Sequence, residues 1–492
     1  MKKRILKFVN SEADYPVITG LASGLYPMFY YYNSNFTQVN SFYQFFFFLL
    51  VYLAIPVIVM LSISFLLTKT TFLKTYKKQL YLGVNISWFG YLLMISTIGI
   101  SAKYLFFIAF LSIICAIAFY NFFKKIVVFQ LLLGLLSSVM FVPILFRHFS
   151  YNNQWLDQPD AIKNVTFKTK PNIYMIQVDG YVNLEVLNKG YYDFDNSNFN
   201  NYLKTNGFKN YKNYRSNYFS TLSSNSSLFA MKHHYYSEPV KAFNELINAR
   251  QVIVTDNPVL QIFKKNNYKT HLLLEHPYFL VNRPKIGYDY CNINPSEIAY
   301  NDKGFSVKKE VLKDLQQVLS QELVSPSFYF IEKLLPSHIT NMSADWANKK
   351  SERIAYLNRL EETNLWLKNA IEIIENKDKN ALIIISADHG GFVGFNNTKE
   401  SATKVEDKGL IYSIYSAMLS IKWNDQSPDF DYKFITPVNF FRILFSHLSQ
   451  DKKHLNYLEE DSSYIIIDKG APFGVYKYID AEGNTVFNPL SN

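Results

Sequence analysis

Two segments of this 492-residue sequence end an apolar run in side chains that can ligate a metal. In the first, Ile173-Tyr-Met-Ile-Gln-Val178 leads into Asp179-Gly180. In the second, Ala381-Leu-Ile-Ile-Ile-Ser386-Ala387 leads into Asp388-His389-Gly390-Gly391. A buried strand delivers whatever follows it to one edge of a sheet, where α/β proteins bind their ligands. Asp-Gly alone is usually a turn; a carboxylate and an imidazole side by side after a strand make the more specific pattern. Between these segments lies the hydroxyl-rich stretch Ser216–Met231, in which Ser220 and Thr221 precede the apolar positions Leu222, Leu228 and Phe229. A hydroxyl at a helix start meets free N–H groups and the positive end of the dipole, which favour an anion. It is equally the place of an ordinary N-cap, and Ser220, Ser223 and Ser224 compete with Thr221 for any role. His338, in Pro336-Ser337-His338, follows the apolar run Ser327–Glu332.

The elements that must position these residues alternate. Strands are expected at Asn172–Asp179, Tyr268–Leu274, Ser327–Glu332, Ala381–Ser386 and Ser413–Ile421. Helical patterns are expected at Asn198–Asn206, Pro258–Asn266, Val307–Gln321, Lys349–Glu375 and Pro437–His447. Alternation of this kind predicts an α/β sheet covered by helices on both faces. The polar stretch 151–170 reads as a linker, 171–470 as the folded domain and 471–492 as a C-terminal tail. Lys408, ahead of the expected strand Ser413–Ile421, reads as a solvated lysine rather than a phosphate contact.

The first 150 residues are of another kind. They hold twelve Lys or Arg against only Glu12 and Asp14, a surplus of ten that equals the net charge of the whole chain. A basic chain suggests nucleic acid as a partner, but here the excess lies beside hydrophobic segments, and nucleic acid is excluded. Ser41–Leu67, Leu80–Ile98, Tyr104–Tyr120 and Ile126–Phe146 each match the roughly 20 apolar residues that span a bilayer. Pro16–Tyr32, rich in Tyr and carrying two Gly, is a fifth candidate. Lys2, Lys3, Arg4 and Lys7, the loop with Lys69, Lys74, Lys77 and Lys78, and the pair Lys124–Lys125 then lie on the cytoplasmic side. Five crossings bring the chain out after Phe146, so the domain is expected outside the cytoplasm. No ionisable group sits deep in the spans, which argues against a transporter. Two cysteines, Cys115 and Cys291, exclude a disulfide scaffold.

Taken in order, the strand ending at Gly180, the segment Ser216–Met231, Pro336-Ser-His338, Ser386-Ala-Asp-His-Gly390 and Thr436-Pro-Val-Asn-Phe-Phe-Arg442 resemble the alkaline phosphatase superfamily. Within it the chain is similar to the sulfatase-like membrane enzymes of the lipoteichoic acid synthase and phosphoethanolamine transferase type. The resemblance spans about Lys170–Ile467 and implies a sulfatase-like α/β fold behind a multi-span anchor in a bacterial-type membrane. It implies that Asp179, Asp388, His389 and the Thr221 oxygen surround one divalent metal, zinc or manganese. Thr221 would be the nucleophile, activated because a metal lowers its hydroxyl pKa. His338 would contact the transferred group or protonate the leaving oxygen.

Departures from the family narrow the chemistry. Sulfatases carry a Cys or Ser in a C/S-x-P-x-R stretch that becomes formylglycine, whereas Ser216–Met231 contains no Cys, Pro or Arg. The extra Asp and His ligands of two-metal relatives have no evident counterpart, since the only later histidines are His447 and His454. Ile339-Thr340 follows His338 in place of the relatives' usual His-Pro-x-Phe continuation. The expectation is a phosphotransferase that moves a phosphoglycerol or phosphoethanolamine head group from a phospholipid donor to a cell-surface glycan or lipid acceptor. A phosphodiesterase or phosphatase is one alternative, and a non-catalytic scaffold of surface-polymer machinery is another.

Overall fold

The computed structural model describes residues 2–99, 101–237, 246–321, 326–341 and 348–490. They form two units, Met1–Tyr151 and Asn152–Asn492.

The second unit is built on a sheet of seven strands: β1 (Ile173–Val178), β2 (Lys209–Asn210), β3 (Lys269–Leu274), β4 (Tyr290–Cys291), β5 (Ser327–Lys333), β6 (Leu382–Ala387) and β7 (Leu419–Lys422). Their order is β2-β7-β6-β1-β5-β3-β4. Strands β6, β1, β5, β3 and β4 run parallel, while β7 and β2 add an antiparallel edge. Every residue of β1, β5 and β6 is buried. That is why these strands read as continuous apolar runs rather than alternating ones. On one face Phe328 and Phe330 meet Phe441 and Phe229, from helices Pro437–Ser449 and Thr221–Ala230. On the other, Tyr174 and Tyr329 stack at 4.6 Å, and the Tyr174 hydroxyl reaches Asp378 at the end of helix Lys349–Lys377.

Three expectations are corrected. Residues 413–415 lie in a helix, Lys408–Tyr415, and only Leu419–Lys422 is strand. Asp407 caps that helix by accepting the Leu410 N–H, and a short apolar run alone does not separate helix from strand. The stretch 151–170 is not a free linker. Ile162 and Phe167 are buried, and Asp160 accepts from Arg442 at 2.9 Å and pairs with His454 at 2.6 Å. Residues 471–490 are no tail either, because β9 (Gly474–Ile479) and β10 (Thr485–Pro489) join β8 (Ser463–Ile467) in an antiparallel sheet.

Among the described residues, the first unit has three helical stretches long and apolar enough to cross a membrane: Phe42–Lys69, Lys77–Thr97 and Ala102–Leu156. The last is broken by a 3-10 turn at Tyr120–Phe122 into Ala102–Phe119 and Phe123–Ser150. Phe106, Phe110, Ile113 and Ile117 stand exposed on one of these helices, an apolar surface that water does not tolerate at this size. Pro16–Asn35 is also helical but less apolar, because much of it is covered by the other helices. Its Gly20 and Gly24 let backbones touch. A Cβ on Gly20 would lie 2.6 Å from Val57 Cα, and one on Gly24 would collide with the Tyr52 carbonyl. Small residues spaced by four are how membrane helices approach closely. Replacing Gly24 by Leu should therefore cost about 1–3 kcal/mol or more through overpacking. In detergent the variant is expected to show a reduced monodisperse fraction, while Leu135→Ala, on an exposed face, should behave as the parent.

Candidate metal centre and nucleophile

Because β1 and β6 are adjacent and parallel, with Val178 opposite Ala387, the residues that follow them emerge side by side. The ligand atoms of Asp179, Asp388 and His389 all lie within 4.8 Å of one another, and all three residues are buried. His389 Nε2 is 3.4 Å from Asp179 Oδ1 and 3.5 Å from Asp388 Oδ2. On the far side of the ring, His389 Nδ1 donates to the Gly390 carbonyl at 2.8 Å. That bond leaves Nε2 as the nitrogen with a free lone pair, as a metal-ligating imidazole requires. Asp388 Oδ1 accepts the N–H groups of Gly180 at 3.1 Å and His389 at 3.0 Å.

The other oxygens are left over. Asp179 Oδ1 and Asp388 Oδ2 are buried with no hydrogen-bond partner. Unpaired buried carboxylate oxygens are costly unless a cation meets them. Two such oxygens and one oriented imidazole nitrogen fit a divalent metal, and the donor set suits zinc or manganese. The electrostatics agree. Burial, with Asp179 adding to it, pushes the Asp388 carboxyl above the usual carboxylate range. Burial also works against a charge on His389, but Asp388 and Asp179 outweigh it and raise its pKa.

Thr221 is the first residue of its helix, after an extended Ser220 whose side chain makes no cap bond. Its Oγ1 is 3.4 Å from His389 Nε2. The rival hydroxyls are engaged elsewhere. Ser220 donates to Ser223 at 3.1 Å, and Ser224 donates to the Tyr218 carbonyl at 2.8 Å. His338 arrives on a loop clamped to the first strand's end, where the Ser337 N–H donates to the Asp179 carbonyl at 2.8 Å. Its ring centre is 5.9 Å from that of His389, and its Nδ1 donates to the Ile339 carbonyl at 2.6 Å. All five expected residues thus gather at one edge of the sheet. Lys408 is exposed at the start of its own helix, away from this cluster.

Close packing forces the glycines. Gly180 has a φ of +68°, and a Cβ there would lie 2.6 Å from the Ser337 carbonyl oxygen. A side chain on Gly390 would strike the Ser413 carbonyl, and one on Gly391 the Tyr356 ring.

Several positioning residues were not foreseen. The Tyr356 hydroxyl donates to the Gly180 carbonyl at 2.9 Å. Arg359, one turn later, donates to the carbonyls of Pro336 at 2.7 Å and His338 at 3.1 Å. Their spacing of three places both on one face of helix Lys349–Lys377, the only signal they carried. Glu332, in register with Gln177, is buried with both carboxyl oxygens unpartnered. Burial, helped by Asp179 and Asp388, lifts its pKa well above the usual carboxylate range.

An α/β sheet thus carries a carboxylate–imidazole cluster and a threonine at its carboxyl edge. The family model for sulfatases matches residues 181–445, more than half of the chain, and the chain belongs to this family. Asp179 lies two residues before the matched segment. No curated protein matches the sequence. Among solved structures, the C-terminal periplasmic domain of EptC from Escherichia coli is similar at 12% identity and a TM-score of 0.45, over 64% of this chain and 95% of that one. The corresponding domain of the phosphoethanolamine transferase EptC from Campylobacter jejuni is similar at 13% identity and a TM-score of 0.38, over 58% of this chain and 91% of that one. BT33494S-sulf of Bacteroides thetaiotaomicron is similar at 13% identity and a TM-score of 0.42, over 65% and 88%.

Purified protein is expected to hold about one divalent metal per chain, since metal ligands must be deprotonated to bind. With the His389 pKa raised, affinity should fall as pH drops through that raised value and protons displace the metal. Asp388→Asn should weaken binding by at least the ~10–100-fold lost when an outer-shell partner is removed. Metal analysis after dialysis at neutral and acidic pH reads both effects; equal retention under all conditions would contradict the site.

Proposed function

We propose that this chain is a membrane-anchored phosphotransferase working outside the cytoplasm of a bacterial-type membrane, anchored by five spans. It moves a phospho-alcohol head group, phosphoglycerol or phosphoethanolamine in type, from a phospholipid to a cell-surface glycan or lipid. The observation that carries this reading is the Thr221 hydroxyl, 3.4 Å from His389 Nε2 at the start of a helix. A zinc or manganese ion held by Asp179, Asp388 and His389 would supply the positive charge that makes the threonine hydroxyl acidic at neutral pH.

The chain's own groups do the rest. Thr221 Oγ1, its proton already released to water, attacks phosphorus as the alkoxide, forming a Thr–O–P bond as the bond to the lipid oxygen breaks. The N–H groups of the first turn of helix Thr221–Ala230 receive charge that develops on the phosphoryl oxygens. His338, with Nδ1 fixed on the Ile339 carbonyl, presents Nε2 as the acid that protonates the departing lipid oxygen. The acceptor hydroxyl then attacks the phospho-threonine, returning its proton to His338 and regenerating Thr221. Phosphorus rather than sulfur is favoured because Ser216–Met231 has no residue that can become formylglycine in a C/S-x-P-x-R setting. The chain passes from an apolar helix ending at Ser150 directly into the domain that starts at Asn152, which favours a lipid donor.

Thr221→Ala should leave the circular dichroism spectrum unchanged and lower transfer from a labelled phospholipid by about 10³-fold or more. Retained transfer in that variant would remove the mechanism. Release of the head group to water with no acceptor adduct by the parent protein would make the enzyme a hydrolase instead.

A further inference from the structure

A second concavity lies on the same carboxyl edge of the sheet. It has a volume of about 760 Å³, within the range of small-ligand pockets. Its walls come from the loop after β1, the loop after β2, helix Lys408–Tyr415 and the turn between β9 and β10. It shares a wall with the metal centre. Ser416 lines it, and the Ser416 carbonyl also backs Gly390; Tyr192 lines it, and its hydroxyl accepts the Gly391 N–H at 3.0 Å.

The charge on its walls is one-sided. Lys189, Lys212, Arg215 and Lys408 face two carboxylates, Glu185 and Glu482. Glu185 is taken by Lys212 at 3.1 Å, while the ammonium groups of Lys189 and Lys408 make no hydrogen bond or ion pair among the described residues. Arg215 is the built part of the site. It is only 5% exposed, makes no ion pair among the described residues, and its Nε is buried without an acceptor. Its Nη2 is held by the carbonyls of Asp461, Asp480 and Ala481, and the carboxylates of Asp461, Asp480 and Glu482 act on its charge from nearby without pairing with it among the described residues. The Nε–H is left for an acceptor that an incoming anion can supply. Two half-buried rings, Tyr191 and Tyr412, stand on the same walls, with their hydroxyls tied to Asp407 and the Gly483 carbonyl. Tethered phenol rings give flat apolar faces of the kind a sugar ring can lie against.

We propose that this cleft is a second ligand site that takes a phosphate-bearing carbohydrate, with its phosphate on Arg215, Lys189 and Lys408 and a sugar on Tyr191 or Tyr412. That its ligand is the acceptor rests on the transfer reading above; that it binds such a chain does not.

The test uses the full metal-loaded chain in detergent and titrates a phosphorylated mannopentaose against its dephosphorylated form by calorimetry. The parent should bind the phosphorylated probe, and the dephosphorylated form about tenfold more weakly. The double variant Lys189→Gln/Lys408→Gln should bind the phosphorylated probe about fivefold to tenfold more weakly while keeping the parent's circular dichroism spectrum and metal content, as expected for two exposed cations outside the metal centre. No binding by the parent, equal binding of the two probes, or no loss in the double variant would each overturn the proposal. Because the readout is binding rather than transfer, these outcomes are independent of whether Thr221 carries a phosphoryl group.

Discussion

Asp179 and Asp388 are carried out of water on neighbouring parallel strands, so that two like charges converge where solvent cannot screen them. Such a pair is stable only if something positive meets it. Much of the surrounding structure answers that constraint. The N–H groups of Gly180 and His389 satisfy one oxygen of Asp388, and the His389 ring is turned so that Nε2 faces both carboxylates. Burial raises the pKa of Glu332, the third carboxyl group nearby, well above the usual carboxylate range. The loop bearing His338 is pinned to the same turn by Tyr356 and Arg359. What remains, two bare oxygens and one lone pair, is the complement of a divalent cation, and Thr221 stands at its edge.

Much of this could be read from the sequence, and the limits have physical causes. β1, β5 and β6 are buried on both faces, so their composition alone marked them, and the Asp and Asp-His that end them could be placed at one sheet edge. Thr221 could not be separated from Ser220, Ser223 and Ser224, because only folding shows which hydroxyls are taken by Tyr218 and by one another. Tyr356 and Arg359 act through long-range contacts with Gly180 and Pro336, and nothing local betrays a contact made across the fold. Residues 413–415, the end of the helix Lys408–Tyr415, read as strand because a short apolar run is compatible with either. The segments 151–170 and 471–490 are polar in composition, but buried charge pairs and edge pairing hold them on the domain all the same.

The membrane unit follows the same logic of covered and uncovered surfaces. Pro16–Asn35 has a weak apolar signal because neighbouring helices, rather than lipid, cover much of it, and its glycines are there for contact with Val57 and Tyr52. Ala102–Phe119 has a strong signal because it presents Phe and Ile outward. Hydropathy reports exposure to lipid, so the helix at the centre of a bundle is the one it under-reports.

The proposed transfer requires that Thr221 become covalently phosphorylated at a metal held by Asp179, Asp388 and His389. The most direct measurement is peptide mass spectrometry of the metal-loaded protein, quenched in acid after brief exposure to phospholipid without acceptor. A phospho-alcohol adduct is expected on the peptide containing Thr221, present only with metal. An adduct on another residue, or none while transfer proceeds, would contradict it.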